Sequence, residues 1–358
     1  MPKTLDLRQQ ILDSPRALRD TLEKGRPEFE SLVRRVPWGE GPIFMVGSGS
    51  SYLAALTGVY AFEGLLGWPV IARPSSDFES YAIPVLRPRS VLLAISNSGE
   101  TVATLDAVRA ARSRKAVVLA LTNNPASALA GMADLVFMLR SGETGTVGFQ
   151  TVLCQQAALG FIGLVAAGTL KRHHAQLDVL DEEFGKLPGH VEWIQLQLLD
   201  AVRALAAEVK NAASLSVVGG GFYHPIALQA ALLLKEVSRV PAEGFDEDAF
   251  HEGALASVPG DSTLLVLSGS HCRAKKKIHA LAARAKKAVA KTLSITDAND
   301  RELQNSSTLS VLLPELTEMA GSTLALALLQ SAAAQMAGGQ SSGLQRRRPS
   351  SVKSPVES

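Results

Sequence analysis

Short runs of aliphatic residues that end at turns constrain the fold of this chain more than any other feature. The first run, residues 43–46, stops at Gly47-Ser48-Gly49-Ser50-Ser51, and a helical stretch follows it to about Gly67. Four further runs cover residues 70–72, 91–95, 116–121 and 135–139. Aliphatic runs that alternate with helical stretches are typical of parallel strands that helices bury on both faces. We therefore predict an α/β fold with a doubly wound parallel sheet.

The same pattern of aliphatic run, glycine turn and helix recurs in the second half of the chain. Residues 215–218 end in Gly219-Gly220-Gly221, and a helix is predicted over residues 226–238. Later strand candidates cover residues 264–267, 292–295 and 309–313. A repeat of this kind predicts two copies of one doubly wound α/β unit in tandem.

The alternation of runs and helices breaks at Leu187-Pro188-Gly189, and we place the division between the two units there. The predicted parts are an N-terminal helical segment (1–35), a first unit (36–187), a second unit (188–342) and a C-terminal tail (343–358). By composition alone, the tail is predicted to be flexible, because it is rich in arginine and serine.

Two helices are predicted from spacing and composition. In the N-terminal segment Ile11, Leu18 and Leu22 have the spacing of an amphipathic helix, and Pro15 is predicted near its start. A second stretch, around residues 157–168, is apolar and free of charges. A membrane span needs roughly 18 or more apolar residues, so a buried helix is the better interpretation.

Composition and charge exclude several classes of function. The chain has 358 residues, with 36 Lys and Arg against 34 Asp and Glu, and this balance predicts no nucleic-acid ligand. Cys154 and Cys272 are the only cysteines and lie far apart, which excludes a disulfide framework or a zinc knuckle and fits a reducing cytoplasm. The charged N-terminal decapeptide lacks the apolar segment of a signal peptide, so we expect neither export nor a membrane partner.

Two loops that follow predicted strands are rich in serine. One is Gly47-Ser48-Gly49-Ser50-Ser51, and the other is Ser96-Asn97-Ser98-Gly99-Glu100-Thr101. Small hydroxyl residues at a helix N-terminus let the backbone approach a phosphate and add O–H donors. The alternative is that they only cap the helices that follow, and the pattern fits either role. Neither loop completes a Walker A or a dinucleotide fingerprint, which disfavours a nucleotide ligand.

The predicted helix over residues 226–238 carries one carboxylate in an apolar setting. On a helical wheel its side chains are apolar nearly all round, which predicts a buried helix. Lys235 lies opposite the main apolar stripe, whereas Glu236 flanks the centre of that stripe by about 90°. Burial would make the Glu236 carboxylate hold a proton more readily, as a general base must. The alternative is a salt bridge to a neighbouring Arg or Lys.

Three segments together carry a resemblance to a known family. They are Gly49-Ser50-Ser51-Tyr52, the segment Ile95-Ser96-Asn97-Ser98-Gly99-Glu100-Thr101, and residues 225–238 with Lys235-Glu236-Val237-Ser238. They resemble the sugar isomerase (SIS) family. Within it, the chain is most similar to the isomerase half of glutamine–fructose-6-phosphate aminotransferase and to stand-alone glucosamine-6-phosphate deaminases. The likeness begins near Ile11 and covers nearly the whole chain.

The resemblance implies that the serine-rich loops bind the phosphate of a hexose 6-phosphate. The residues that would take this role are Gly49, Ser50, Ser51, Ser96, Asn97, Ser98 and Thr101. It further implies that Glu236 moves a proton between C1 and C2 of the opened sugar, and that Lys353 of the tail enters the site. Members of the family need no metal or organic cofactor for this chemistry and commonly complete their sites across a homodimer.

The chain departs from the family pattern in three places. It has no glutaminase domain with an N-terminal cysteine nucleophile, so glutamine is not expected to donate ammonia within this chain. The ring-opening histidine of the family corresponds by register to Glu252, with His251 one residue earlier, so both remain candidates for that role. Leu233 stands where the family has a lysine, and the tail lacks the usual Pro-Arg.

We therefore expect two SIS units that form a cytoplasmic sugar-phosphate isomerase or deaminase. The expected substrate is an amino-sugar phosphate such as glucosamine 6-phosphate. Proton transfer between C1 and C2 would release ammonia or an amine and leave a ketose phosphate. The alternative is a sugar-phosphate sensor without catalysis, which the altered ring-opening position and Leu233 favour and the retained Glu236 and Lys353 oppose.

Overall fold

The computed structural model of the chain describes residues 6–143, 147–172, 175–289 and 291–337. Its strands are β1 (Ile43–Gly47), β2 (Val70–Pro74), β3 (Val91–Ile95), β4 (Val117–Thr122), β5 (Leu135–Met138), β6 (Leu215–Gly219), β7 (Ala242–Phe245), β8 (Thr263–Leu267), β9 (Lys291–Asp297) and β10 (Leu309–Leu313). They form two parallel five-stranded sheets, in the orders β2-β1-β3-β4-β5 and β10-β9-β8-β6-β7. The predicted α/β fold with tandem parallel sheets is confirmed.

Helices connect successive strands and cover both faces of each sheet. They are α1 (Leu7–Leu22), α2 (Arg26–Val33), α3 (Ser50–Leu66), α4 (Ser75–Asp77), α5 (Val102–Ser113), α6 (Ala128–Met132), α7 (Phe149–Thr169), α8 (Leu177–Gln197), α9 (Leu199–Lys210), α10 (Tyr223–Ser238), α11 (Glu247–Ala249), α12 (Leu255–Ser257), α13 (Lys275–Ala285), α14 (Arg301–Ser306) and α15 (Glu318–Ala337). Two π-helical turns, Phe78–Ala82 and Phe250–Ala254, and one 3-10 turn, Ile83–Val85, complete the connections.

One constant shift along the sequence relates the two sheets. Positions 43, 70 and 91 begin β1, β2 and β3, and positions 215, 242 and 263 begin β6, β7 and β8, so the interval between counterparts is the same each time. The strand orders match under this shift. In the first sheet β1 lies between β2 and β3, and in the second sheet β6 lies between their counterparts β7 and β8. The repeat that the glycine turns predict is therefore a repeat of the whole α/β unit.

Strand β7 is a strand that the sequence analysis missed. Its four residues read Ala-Glu-Gly-Phe, and it lies at the edge of the second sheet. An edge strand has a neighbour on one side only and is less enclosed, so it does not need a continuous aliphatic run. Central strands such as β3 and β8 are buried along their whole length and were recognisable for that reason.

One continuous hydrophobic core contains side chains from both sheets. Met45 and Leu93 of the first sheet belong to it, as do Val217 and Leu265 of the second. Smaller cores lie on the other face of each sheet. The two units are therefore joined by packing as well as by the chain.

Two prolines lie inside helices where the sequence suggested a start or a break. Pro15 lies within α1, because Asp6 caps that helix and its side chain accepts a hydrogen bond from the backbone N–H of Arg8. Proline has no N–H to donate to the carbonyl four residues earlier, which is that of Ile11. The Gln195 side-chain amide donates to this carbonyl instead, at 2.7 Å. Placing Pro15 near the helix start was wrong.

The second such proline, Pro188, lies within α8, which continues through Leu187-Pro188-Gly189. The predicted division between residues 187 and 188 therefore falls inside a helix, and the limits of the two units stay a prediction. Helix α7 is long and apolar enough to cross a membrane by those criteria alone, but 89% of its most apolar window is buried inside the protein. It is a core helix, as predicted.

Candidate functional site

A cavity of about 200 Å³ opens at the carboxyl edge of the first sheet. The loop after β1, the loop after β3 and the first turns of α7 border it from the first unit, and α10 and α15 border it from the second. Its polar lining residues are Ser48, Ser50, Ser51, Asn97, Thr151, Gln155, Gln229, Glu236 and Gln330. Since ligands of parallel α/β sheets bind at this edge, we take this cavity as the candidate site.

The loop after β1 brings two predicted residues to the cavity. Gly49 has a φ of +56°, a conformation that glycine adopts at little cost, and α3 begins directly after it at Ser50. The Ser50 hydroxyl accepts a hydrogen bond from the Gln229 side-chain amide at 3.1 Å. The Ser51 hydroxyl lies within hydrogen-bond distance of both polar atoms of the Gln155 amide, and Gln155 Nε2 donates to it at 3.1 Å. These hydroxyls are thus held in place from opposite sides of the cavity.

The loop after β3 presents one predicted residue, Asn97, to the cavity and uses others to hold its own shape. Ser96 is only 3% exposed, and its hydroxyl accepts from the Gly99 N–H and shares a hydrogen bond with the Thr101 hydroxyl, both at 3.1 Å. The exposed Ser98 hydroxyl accepts from the Glu100 N–H at 3.2 Å. Ser96, Ser98, Thr101 and Gly49 do not line the cavity, so the structure separates the predicted phosphate residues into two groups.

Simple capping does not account for this loop. Thr101 occupies the N-cap of α5, yet its side chain makes no capping hydrogen bond there. Its hydroxyl is engaged with Ser96 instead. Gly49, the N-cap of α3, has no side chain that could cap. Neither helix therefore has a side-chain N-cap, whereas the Ser96 and Ser98 hydroxyls bind backbone N–H groups of their own turn, so the structural alternative holds for these two serines.

Helix α10 brings Glu236 to the cavity from the second unit. Gln229, Leu233 and Glu236 lie on one face of α10 and all line the cavity. The expectation of a buried carboxylate is wrong within the single chain, because Glu236 is exposed. Among the described residues it also forms no ion pair, which removes the salt-bridge alternative there. The wheel failed because it predicts burial from composition and cannot show that this helix end borders an open cavity.

The sequence analysis missed the glutamines that line the cavity. Gln229 is 6% exposed and Gln330 is 2% exposed, and their side-chain N–H groups donate to the Ser50 hydroxyl and to the carbonyl of Phe149. Both side-chain carbonyl oxygens are buried and have no hydrogen-bond partner among the described residues. The available signal was a glutamine in an otherwise apolar helix, since such an amide is costly to bury without a purpose.

The positive charge at the cavity comes from helix ends, opposite the carboxylate of Glu236. Among the described residues, none of the lining side chains is a Lys or Arg. Helices α3 and α7 both begin at the cavity, and the N-terminus of a helix carries a partial positive charge. Two such termini, with the hydroxyls of Ser50 and Ser51, suit an anion that approaches closely, such as a phosphate ester.

The other predicted catalytic residues are not brought to this cavity. His251 and Glu252 lie in the π-helical turn after β7, where Arg284 donates a hydrogen bond to His251 Nε2 at 2.6 Å. Neither lines the cavity. Lys353 and the predicted tail lie outside the described residues. Of the four predicted catalytic residues, the described part of the chain places only Glu236 beside the serine loop.

Comparison with known proteins matches the chain to a family model and to curated relatives. The family model described as "SIS domain" matches residues 38–160 and 208–340. The chain is 35% identical over 268 residues to glutamine–fructose-6-phosphate aminotransferase of Aeropyrum pernix, covering 72% of this chain and 42% of the relative. For the Synechocystis enzyme of that name, identity is 29% over 318 residues, covering 85% and 49%. The chain thus spans about half the length of the curated relatives that it matches.

Solved structures share the fold at lower identity. The C-terminal domain of glucosamine-fructose-6-phosphate aminotransferase from Francisella tularensis has a TM-score of 0.82 at 23% identity, covering 93% of this chain and 96% of that one. Glucosamine-6-phosphate deaminase from Thermotoga maritima has a TM-score of 0.68 at 20% identity, covering 91% and 94%. At these identities the similarity shows the fold alone.

Proposed function

Because the chain belongs to the SIS-domain family, we propose that it is an enzyme acting on an amino-sugar phosphate such as glucosamine 6-phosphate. One observation carries the proposal. Glu236 of the second unit and Ser50, Ser51 and Asn97 of the first line the same cavity, although they lie far apart in the sequence. An anion site beside a carboxylate is the arrangement that proton transfer on a sugar phosphate requires.

The phosphate would bind where α3 and α7 begin, because both helix termini and the Ser50 and Ser51 hydroxyls favour an anion there. The sugar chain would then extend toward α10. Glu236 would take the proton from C2 of the open-chain sugar and return it at C1. With a second proton passing from the amine nitrogen to O1, the double bond moves from C1–O to C2–N, and water then hydrolyses the imine. The products are ammonia and fructose 6-phosphate.

The free polar groups of the cavity favour a substrate that carries an amine. The side-chain oxygens of Gln229 and Gln330 and the carboxylate of Glu236 are acceptors without partners among the described residues. An ammonium group has three N–H donors and no acceptor, and so complements such a lining. Leu233, also in the lining, contributes no positive charge that would repel it.

A homodimer and a cytoplasmic location belong to the same proposal. His251 and Glu252 lie away from the cavity of their own chain, so they could serve the reaction only from a second copy or after a rearrangement. Lys353 remains a candidate from the tail. Both cysteines are free thiols, which fits a reducing compartment. We propose that the reaction needs no metal or organic cofactor.

A sensor without catalysis is the second candidate. The exposure of Glu236 and the distance of His251 and Glu252 from the cavity favour it, because a base and a ring-opening group should otherwise meet at the ligand. A sensor needs only the phosphate-binding part of the cavity. Turnover by the purified protein therefore separates the two functions.

The test measures ammonia release and fructose 6-phosphate formation from glucosamine 6-phosphate. We expect Glu236→Gln to lower turnover by about 10²-fold or more, as removal of a general base does, while thermal stabilisation by glucose 6-phosphate is retained. Lys235→Gln is the matched control, since Lys235 is exposed on the same helix and does not line the cavity. Equal turnover by Glu236→Gln and the native protein would exclude this mechanism. Ligand stabilisation with no turnover in the native protein would identify a sensor.

A further inference from the structure

The second unit has a cavity of its own, of about 510 Å³, at the carboxyl edge of the second sheet. It is bordered by Gly221 and Phe222 after β6, by Arg273 after β8, and by Glu318 at the start of α15. Helix α3 of the first unit closes one side. These are the repeat equivalents of the elements around the candidate site, with α3 in the place of α10.

The carboxylate of Glu318 binds to the backbone of both loops in this second cavity. Its Oε1 accepts from the Phe222 N–H at 3.3 Å and from the Cys272 thiol at 3.5 Å, and its Oε2 accepts from the Arg273 N–H at 3.5 Å. The residue is 9% exposed. Hydrogen bonds from one N–H of each loop to an anion are what a phosphate would receive at such a site.

A pair of equivalent glycines locates the carboxylate more closely. Gly49 and Gly221 are counterparts under the shift that relates β1 to β6, and they have nearly the same φ, +56° and +55°. A Cβ added at Gly221 would overlap with Glu318 Oε1, whereas no atom of the described residues lies within 4 Å of a Cβ added at Gly49. No described residue of the first cavity therefore fills the place that Glu318 takes in the second.

The position equivalent to the base carries no carboxylate in the second cavity, although the neighbouring Glu63 lines that cavity and accepts a hydrogen bond from the Val70 N–H at 3.1 Å. The shift that pairs Gly49 with Gly221 also pairs Gly64 of α3 with Glu236 of α10, and Gly64 lines the second cavity. With glycine at the position of the base, catalysis of the kind proposed for the first cavity does not explain why Glu318 is buried. Burial is also the main reason why the pKa of Glu318 is raised, so the carboxylate is kept at this position at an electrostatic cost.

We propose that the second unit keeps an anion-binding site whose resident anion is the side chain of Glu318. The site is therefore closed to phosphate in the native protein. Each chain binds one phosphate ester, at the cavity of the first unit, although the fold provides two sets of anion-binding loops. Removal of the Glu318 carboxylate opens the second set.

The test counts bound inorganic phosphate per chain by equilibrium dialysis. We expect one phosphate for the native protein and two for Glu318→Ala. Glu318→Gln is the matched control, because its amide still fills the site, and we expect it to bind one. A folded Glu318→Ala protein that binds one phosphate would overturn the proposal. If Glu318→Ala does not fold, Glu318→Ser takes its place, and no gain of phosphate there has the same meaning.

A second pair of variants separates this proposal from the function of the first cavity. Ser51→Asp places a carboxylate in the first cavity and should abolish its phosphate binding. Ser51→Asp alone is then expected to bind no phosphate, and Ser51→Asp with Glu318→Ala is expected to bind one. Phosphate retained by Ser51→Asp alone would contradict the proposed substrate site. Failure of the double variant to bind any would contradict the second anion site.

Discussion

The two cysteines are free thiols buried at distant points of the sequence. Burial raises the pKa of both Cys154 and Cys272 to about 12. At pH 8 only about one thiol in 10⁴ is then ionised, and the thiolate is the form that reacts. We predict that neither thiol of the native protein reacts with a disulfide reagent within minutes at pH 8. In denaturant both should react at once. Reaction of one thiol per native chain within minutes would contradict this prediction.

The equivalent glycines Gly49 and Gly221 allow a second prediction about single residues. At Gly49 an added methyl group meets no atom of the described residues, so Gly49→Ala should cost only the backbone strain of a conformation with φ +56° and ψ −128°, about 1–3 kcal/mol of unfolding free energy. At Gly221 the new methyl group would also clash with Glu318. Gly221→Ala should therefore be the more destabilising change, as measured by urea unfolding.

A double variant checks the cause of that difference. In a Glu318→Ala background the clash is absent, so the cost of Gly221→Ala should fall to that of Gly49→Ala. The cost of Gly49→Ala should be the same in both backgrounds, because Gly49 and Glu318 lie in different units. Equal costs of Gly221→Ala in the two backgrounds would show that the carboxylate does not occupy the position described.

At the level of single residues, the sequence was informative where chemistry is local and misleading where it depends on the neighbouring unit. Glu236 was recognised from its motif, and the structure does place it beside the serine loop. Its exposure was not predictable, because a helical wheel contains no information about an open cavity. Gln330 was missed since its partner, the carbonyl of Phe149, lies 181 residues away in the sequence.

Among the helices, α1 depends on a side chain from α8. The Gln195 side-chain amide donates a hydrogen bond to the Ile11 carbonyl, which has no donor within the helix because residue 15 is a proline. We predict that Gln195→Ala lowers the unfolding free energy by about 1 kcal/mol, the value of one such hydrogen bond. Gln197→Ala, a change at an exposed position of the same helix, is the control and should have little effect.

Restoring the missing donor gives the corresponding rescue. Pro15→Ala supplies a backbone N–H that can reach the Ile11 carbonyl, so in the Pro15→Ala background the cost of Gln195→Ala should shrink. Denaturant unfolding of the four proteins measures this coupling. An unchanged cost would mean that Gln195 stabilises the protein in another way.

The strands that the sequence predicted well are continuous aliphatic runs, whether buried along their whole length like β3 or partly exposed at a sheet edge like β10. The run at residues 91–95 coincides with β3, and the run at 116–121 is offset by one position from β4. Edge strand β7 and the proline inside α8 were missed for a common reason. In each case a residue that is unfavourable in the local pattern is tolerated by its tertiary surroundings, which the pattern does not contain.

Over the whole molecule, the two units share one hydrophobic core. Because Met45 and Val217, from different sheets, belong to the same core, exposing one unit would remove packing from the other. We predict a single cooperative thermal transition, with equal calorimetric and van't Hoff enthalpies. Two separate transitions, or independent folding of a fragment that ends at residue 187, would contradict this.

The crossed arrangement of α3 and α10 has a consequence for the history of the chain. Each helix belongs to one unit and lines the cavity of the other. A half-length ancestor that paired with itself would form the same two cavities, identical by symmetry, and any mutation would appear in both. Fusion of two gene copies ends that constraint. One cavity can then retain Glu236 and open serine loops, while the other acquires Gly64 and Glu318 without loss of the first.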